Sequence, residues 1–379
     1  MTHPQAANAQ STPMGATRKV AAELSLIDRF LPLWIIIAMA IGIALGKVWP
    51  DIGPALDTAK LSGVSLPLAI GLLWMMYPVL AKVNYGRIGT LRTEGRLFGL
   101  SLVLNWVVGP ILMFALAWIF LADQPAYRNG IILIGLARCI AMVLIWNMLA
   151  DGDGEVAAVL VALNSVFQIF MYAVLGWLFL TVVPGWFGQA ATAVDISMGL
   201  IARNVAVFLG IPLIAGALTR AILVPLKGAE WYDTVLMPRL GPTALLGLLY
   251  TIVIMFAMQG ENILANPLDV ARIALPLVIY FVIMFTVAFL AGKRMGLTYR
   301  ETAAVSFTAA GNNFELAIAV AVATFGIASG EALAGVVGPL IEVPALLALV
   351  YLSLWLRDRL FPEETIAVTA APCAGERCL

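Results

Sequence analysis

The chain has 379 residues, of which 62% are hydrophobic and only 12% charged, with a mean hydropathy of +0.98. A soluble globular domain carries roughly 25% charged residues, so this chain lacks the polar surface to cover itself in water. Lys plus Arg and Asp plus Glu balance at 22 each, so nothing in the net charge points to nucleic acid. Residues 1–28 are small and polar without the charged-then-apolar layout of a signal peptide, and are expected to form a disordered cytoplasmic tail. Apolar runs follow at about 30–48, 64–81, 97–121, 130–149, 156–183, 198–222, 238–258, 270–292, 302–325 and 333–356. Each is near the ~20 residues needed to span a bilayer, so ten spans are predicted, with both termini on one side. A short tail, 359–379, closes the chain.

The basic residues say which side that is. The loops on the terminal side hold fifteen: Arg18, Lys19, Arg29, Lys82, Arg87, Arg92, Arg96, Arg220, Lys227, Arg239, Lys293, Arg294, Arg300, Arg357 and Arg359. The opposite loops hold four, Lys47, Lys60, Arg128 and Arg272. The positive-inside rule puts both termini in the cytoplasm. Asp151, Asp153 and Glu155 sit in one cytoplasmic loop without a basic residue, but acidic residues weigh little in that rule.

Two stretches repeat at one spacing. Gly71-Leu72-Leu73-Trp74 and Gly247-Leu248-Leu249-Tyr250 lie 176 positions apart, as do Gly154-Glu155 and Gly330-Glu331. A shared spacing across separate helices implies two five-span repeats, 29–183 and 184–358. Five is odd, so the second copy enters the membrane from the other face, an inverted repeat. The same spacing matches Cys139 with Glu315. Polar interruptions flank both, Gly135-Leu-Ala-Arg138-Cys139 and Gly311-Asn312-Asn313-Phe314-Glu315. Spans four and nine are therefore expected to be broken helices that cross near the bilayer centre, where irregular backbone survives only inside protein or along a cavity.

Arg138, Arg203, Glu315 and Glu342 are the ionisable residues deep in spans, each costing roughly 2.5–3.5 kcal/mol at a helix centre on insertion scales. They can neutralise one another across helices or serve transport. For Arg203 and Glu342 the residues alone leave both readings open, and Arg203 can also snorkel from a helix end. Glu315 follows Asn312-Asn313 inside a predicted break, where half-helix ends and freed amides tune proton affinity, so it is expected to carry a transport role without a close ion pair to Arg138 or Arg203. Buried cysteine usually acts as a small hydrophobe. Cys139 differs in lying at a break beside a cation, which favours the thiolate that binds soft metals, and both readings remain open. Asn105, Asn147, Asn164, Gln168, Asn312 and Asn313 hydrogen-bond between helices or face a cavity. Most tryptophans read as an interfacial belt, with Trp146 placed to line a pocket. The other cysteines, Cys373 and Cys378, lie in the tail and match neither a disulfide framework nor a zinc site. A phosphate loop, a histidine pair (His3 is the sole histidine) and a nucleophile elbow are all missing, so neither an enzyme nor a resident cofactor is expected.

At these residues the sequence resembles the arsenite efflux permeases of the bile acid/arsenite/riboflavin transporter superfamily, over about Phe30 to Phe361. The most specific segments are Gly135-Leu-Ala-Arg-Cys139-Ile-Ala-Met-Val143 and Gly311-Asn-Asn-Phe-Glu315-Leu-Ala-Ile-Ala319. The resemblance implies a core and a panel domain in the cell membrane, and arsenite (with antimonite as its congener) exported in exchange for protons. It implies that Cys139 and Glu315 are essential, with supporting roles for Arg138, Trp146, Asn164, Arg203, Asn313 and Glu342. The expected substrate site is then Cys139, Arg138, Trp146, Asn164, Asn312 and Asn313, with Cys139 the arsenic ligand and Glu315 the proton carrier, and Arg203, Glu342 and Asn105 around them. The alternative of the same fold is a sodium-coupled organic anion carrier. A fixed cation at Arg138 opposes the oxygen-rich sodium sites such a carrier needs.

Overall fold

A computed structural model describes residues 31–83, 95–140, 142–186 and 198–362. Both tails, Arg87, Arg92, Cys373 and Cys378 lie outside them. Among the described residues the protein is an all-helical membrane protein apart from one small hairpin, Lys60–Leu61 with Val64–Ser65. Its helices are α1 (Leu31–Val48), a short α2 (Ile52–Leu56), α3 (Leu66–Lys82), α4 (Gly95–Phe120), α5 (Pro125–Leu136), α6 (Met142–Leu149) and α7 (Gly154–Trp186). They continue with α8 (Met198–Lys227), α9 (Met237–Ala265), α10 (Pro267–Arg294), α11 (Tyr299–Ala310), α12 (Phe314–Phe325) and α13 (Gly330–Leu360). Among the described residues, α4, α7, α8, α9 with its lead-in, α10 and α13 are each long and apolar enough to cross a bilayer. Trp34, Trp49, Trp74, Trp177, Trp186 and Trp355 are exposed, which suits a lipid-facing surface.

Three of these helices and the lead-in to a fourth each contain one widened turn: Leu104–Val108 in α4, Leu178–Val182 in α7, Ala206–Gly210 in α8, and Tyr232–Leu236 on the way into α9. Each is followed two residues later by proline, at Pro110, Pro184, Pro212 and Pro238. Proline lacks an N–H, and its ring presses on the carbonyl four residues back. Lengthening the preceding bonds makes room for it: Gly109, Val183, Ile211 and Met237 each donate to the carbonyl five residues earlier. Such turns often mark functional positions.

The helices form two groups. In one, α9 packs on α1 and α3, and α3 packs on α8; the other holds α4 to α7 and α10 to α13. The repeated Gly-Leu-Leu-aromatic motif builds the first group. A Cβ on Gly71 would lie 2.5 Å from Thr251 Oγ1, and one on Gly247 would lie 2.9 Å from the Met75 nitrogen. Gly247 therefore admits the backbone of α3 and Gly71 the side chains of Thr251 and Tyr250, the small-residue packing that stands in for hydrophobic drive inside lipid. Trp74 and Tyr250 meet beside them, with ring centroids 6.4 Å apart.

The expected spans fall on helices, with two local differences. The fourth starts at Pro125 rather than near 130, because proline suits the first position of a helix. This draws Arg128 out of its expected loop: it is buried on α5, donates to the Ala122 carbonyl at 3.2 Å and stacks over Trp118 at 4.1 Å. Arg272 likewise opens α10 and holds both oxygens of Asp123, at 2.5 and 2.7 Å. That pairing keeps the Asp123 carboxyl below its ordinary proton affinity.

Candidate functional site: two paired helix breaks

Helix α5 ends at Leu136 and α6 resumes at Met142; helix α11 ends at Ala310 and α12 resumes at Phe314. The two interruptions lie side by side and form an antiparallel bridge, Arg138 opposite Asn312. The Asn313 N–H donates to the Ala137 carbonyl at 3.0 Å, and the Cys139 N–H to the Gly311 carbonyl at 3.4 Å. Backbone groups freed at one break are thus satisfied by the other, which is what buried irregular backbone requires. Asn312 Nδ2 adds bonds to the carbonyls of Ile134 and Ala137, at 2.9 and 3.1 Å. The sequence spacing of 176 matched Cys139 with Glu315, whereas the bridge sets Arg138 against Asn312, so Cys139 lies opposite Gly311 and its counterpart by the bridge spacing is Asn313.

Cys139 and Asn313 do the same local task. Asn313 caps α12, its Oδ1 accepting from the Leu316 N–H at 3.0 Å. Cys139 Sγ accepts from the Val143 N–H at 3.3 Å, at the start of α6. The thiol, 2% exposed, therefore sits at a helix N-terminus, where partial positive charge favours an anion. Gly311 lies against it: a Cβ there would be 3.0 Å from Cys139 Cβ. A Gly311→Ala chain with Cys373 and Cys378 replaced by serine is expected to lose about 1–3 kcal/mol of stability to overpacking. Its Cys139 should also alkylate with N-ethylmaleimide at a changed rate, and an unchanged rate would mean that the contact does not position the thiol.

Arg138 is fully buried. Its Nη1 donates to Tyr280 Oη on α10 at 2.8 Å and its Nη2 to the Gly135 carbonyl. Its backbone N–H donates to Gln168 Oε1 on α7. Among the described residues the guanidinium forms no ion pair with Glu315 and is held instead by α10 and the end of α5. Gly109, beside the widened turn of α4, leaves the space this side chain needs, since a Cβ there would lie 2.8 Å from Nη1. In that same turn Trp106 donates to Asn164 Oδ1 at 3.2 Å, and Asn105 bonds back to the Ser101 carbonyl at 2.8 Å. Glu342, on α13, accepts the Asn312 N–H at 3.3 Å.

Several buried N–H donors on these segments have no protein acceptor: Arg138 Nε, Trp146 Nε1, Asn164 Nδ2, Gln168 Nε2 and Asn313 Nδ2. Among the described residues, no cluster of three His, Cys, Asp or Glu exists that could hold a metal ion. Glu315 stands in the first turn of α12, at the boundary of the two helix groups. A cavity of about 10 Å³, near the size of one water, joins it to Leu72 and Met76 of α3 and to Phe208 and Leu209 of α8. The last two belong to the widened turn of α8. A larger open cavity of about 530 Å³ runs along α6, lined by Lys82, Leu144, Asn147, Met148, Asp151 and Arg300 among others.

Of the residues named from sequence, Arg138, Cys139, Asn312, Asn313 and Glu342 meet at the paired breaks, Asn164 and Asn105 bond on α7 and α4, and Glu315 stands in the first turn of α12. Arg203 is exposed on α8 and its neighbour Asn204 faces inward instead. Hydropathy locates a span without saying which side of it a residue takes. Tyr280 and Gln168 are contributors that sequence reasoning did not assign to the site. Gln168 carried a signal, lying one turn after Asn164 on the same face of α7; Tyr280 carried none.

The arrangement of two interrupted, mutually paired helices in a helical membrane bundle defines a carrier. The sodium bile acid symporter family matches the chain over residues 69–266. The chain belongs to that family, among the arsenical-resistance proteins. It is 53% identical over 355 residues to arsenical-resistance protein Acr3 of Corynebacterium glutamicum, covering 94% of this chain and 96% of that one. It is 33% identical over 343 residues to Acr3 of Alkaliphilus metalliredigens, covering 87% and 93%, and 36% identical over 352 residues to an uncharacterised transporter of Synechocystis, covering 88% and 89%.

Proposed function

We propose that this protein exports arsenite across the cell membrane in exchange for protons, through ten spans arranged as two inverted five-helix repeats with both termini in the cytoplasm. The observation that carries the reading is the Cys139 thiol, buried where the two breaks pair, on segments that also carry buried N–H donors without acceptors. Arsenite at neutral pH is mostly the uncharged trihydroxide. Its arsenic is thiophilic and its three hydroxyl oxygens accept hydrogen bonds, so it complements one soft ligand ringed by donors. Sulfur bonds to arsenic as one hydroxyl leaves with the thiol proton as water. A single As–S bond keeps the complex exchangeable, as a carrier requires.

The 530 Å³ cavity beside α6 opens at the Lys82, Asp151 and Arg300 end, which the basic-residue count assigns to the cytoplasm, so it serves as the entrance from which substrate is loaded. Glu315, at the boundary between the helix groups, is the residue whose surroundings change when one group moves against the other. A sodium-coupled reading fits less well. Sodium wants oxygen ligands, and although Asn312 Oδ1 is unclaimed at the breaks, the buried Arg138 beside it sets a fixed cation against a second one.

Everted vesicles test the coupling. They are expected to accumulate arsenite when the lumen is acid, with no response to replacing sodium by choline and with loss of accumulation on adding a protonophore. Sodium-dependent uptake of an organic anion without arsenite uptake would overturn the proposal.

A further inference from the structure

The two breaks are held by a matching pair of side chains. In the first, the Arg138 N–H donates to Gln168 Oε1; in the second, the Asn312 N–H donates to Glu342 Oε1 at 3.3 Å. Arg138 and Asn312 are the two residues that face each other in the bridge. Each acceptor lies 30 positions after its donor, on the long helix that follows the break, and both are buried, at 0% and 3% exposure. Breaking a helix frees backbone N–H groups that lipid cannot satisfy. The bridge takes those of Cys139 and Asn313, and the paired side chains take those of Arg138 and Asn312.

We propose that Gln168 is a positioning residue for the Cys139 thiol, the first-half counterpart of Glu342. Gln168 fixes the amide of the residue directly before Cys139. It reaches over from α7, so the thiol is referenced to a helix other than the one it caps. The two clamps differ in chemistry. An amide cannot ionise, so the Gln168 clamp keeps the same acceptor at every pH, whereas a carboxyl in the second half can change charge. A thiol ligand needs the constant clamp, because its position should not drift as the carrier takes up and releases protons. Gln168 also presents Nε2, which has no protein acceptor, from a side chain whose other end is already fixed.

The arsenite part of this inference rests on the function proposed above; the clamp itself does not. The test uses the full chain with Cys373 and Cys378 replaced by serine, leaving Cys139 as the sole thiol of the three. Two variants are compared with it: Gln168→Met, which keeps the length and loses the acceptor, and Gln168→Glu, which keeps the acceptor. Intrinsic alkylation of Cys139 by N-ethylmaleimide is read first, without arsenite. The methionine chain is expected to differ from its parent by about threefold or more, and the glutamate chain to match the parent, since one buried N–H loses its partner only in the former. The arsenite concentration giving half-protection from alkylation should rise about tenfold in the methionine chain, the scale of one hydrogen bond.

Matching rates in the methionine chain and its parent would overturn the proposal. So would equal damage in both variants, because the acceptor would then not be the cause. Should the methionine chain fail to accumulate, Gln168→Asn, which withdraws the same acceptor by one methylene, is judged by the same criteria. If arsenite fails to protect even the parent, the proposed substrate is wrong, while the alkylation contrast still decides the clamp.

Discussion

A Cys139→Ser chain is expected to reach the membrane in normal amount and to export no arsenite. Serine is nearly the same size, and its hydroxyl accepts the Val143 N–H that Cys139 Sγ accepts now at 3.3 Å. The cap on α6 is preserved and even strengthened, since serine is among the preferred caps and sulfur is a weak acceptor. The loss is confined to the soft donor: a hydroxyl gives arsenic nothing that water does not already give. Arsenite resistance of a sensitive host should fall to the empty-vector level, and everted vesicles should show no accumulation. Replacing Cys373 and Cys378 together should leave both readings unchanged. A Cys139→Ser chain that kept half or more of the parent's uptake would show that the thiol is not the ligand.

The second large effect is expected at Glu315. A neutral substrate leaves the cell uphill only if something else moves downhill, and proton coupling requires one group whose proton affinity differs between the loaded and empty carrier. The coupling is reciprocal, so Glu315 need not touch arsenic to serve. It lies in the first turn of α12, next to Asn313 and across a water-sized cavity from α3 and α8. Any movement of one helix group against the other alters its solvation. Glu315→Gln fixes a protonated-like state. A gradient of one pH unit is worth about 1.4 kcal/mol per proton, or about tenfold accumulation, and the variant should lose all of it, so that the ratio of arsenite inside to outside everted vesicles settles at one. Exchange of labelled for unlabelled arsenite at equal concentrations should persist, because it needs no net proton movement. Accumulation by Glu315→Gln that still tracks the imposed pH difference would exclude this carboxyl as the proton carrier.

Hydropathy made the helices legible, and polar interruptions such as Arg138-Cys139 and Asn312-Asn313 made the breaks legible, because both signals are local and strong. The Gly71 and Gly247 motifs were visible as a repeat, and the packing explains them: at each glycine the other helix leaves no room for a Cβ. The register at the breaks was not legible. The spacing of 176 holds for those glycines, but the bridge joins residues 174 apart, Arg138 and Asn312. Gly71 to Arg138 is 67 positions and Gly247 to Asn312 is 65, so two more residues ahead of the first break shift the match. The widened turns were hidden for a different reason. Pro110, Pro184, Pro212 and Pro238 were in plain sight, but a proline in an apolar run is equally compatible with a kink, and only the hydrogen bonds of the preceding turn tell them apart. Arg203 shows the limit of charge counting, which finds an intramembrane cation without finding the side of the helix it takes.

A helix cap is worth about 1 kcal/mol when its acceptor is oxygen or a carboxamide. Helix α12 has such a cap in Asn313, while the Val143 N–H of α6 is met by sulfur, a weaker acceptor. On the proposed reading, the half-helix held by the weaker acceptor is the one that carries the ligand. Local opening should start at α6, the eight-residue helix along which the 530 Å³ cavity runs. Cargo and winding then draw on the same sulfur lone pairs. Each metalloid that binds competes with the Val143 amide for them, and each one that departs lets the turn close again. With Cys139 as the proposed ligand, the return of the Val143 amide to sulfur would help release, and the weakness of sulfur as a cap would become part of the turnover cycle.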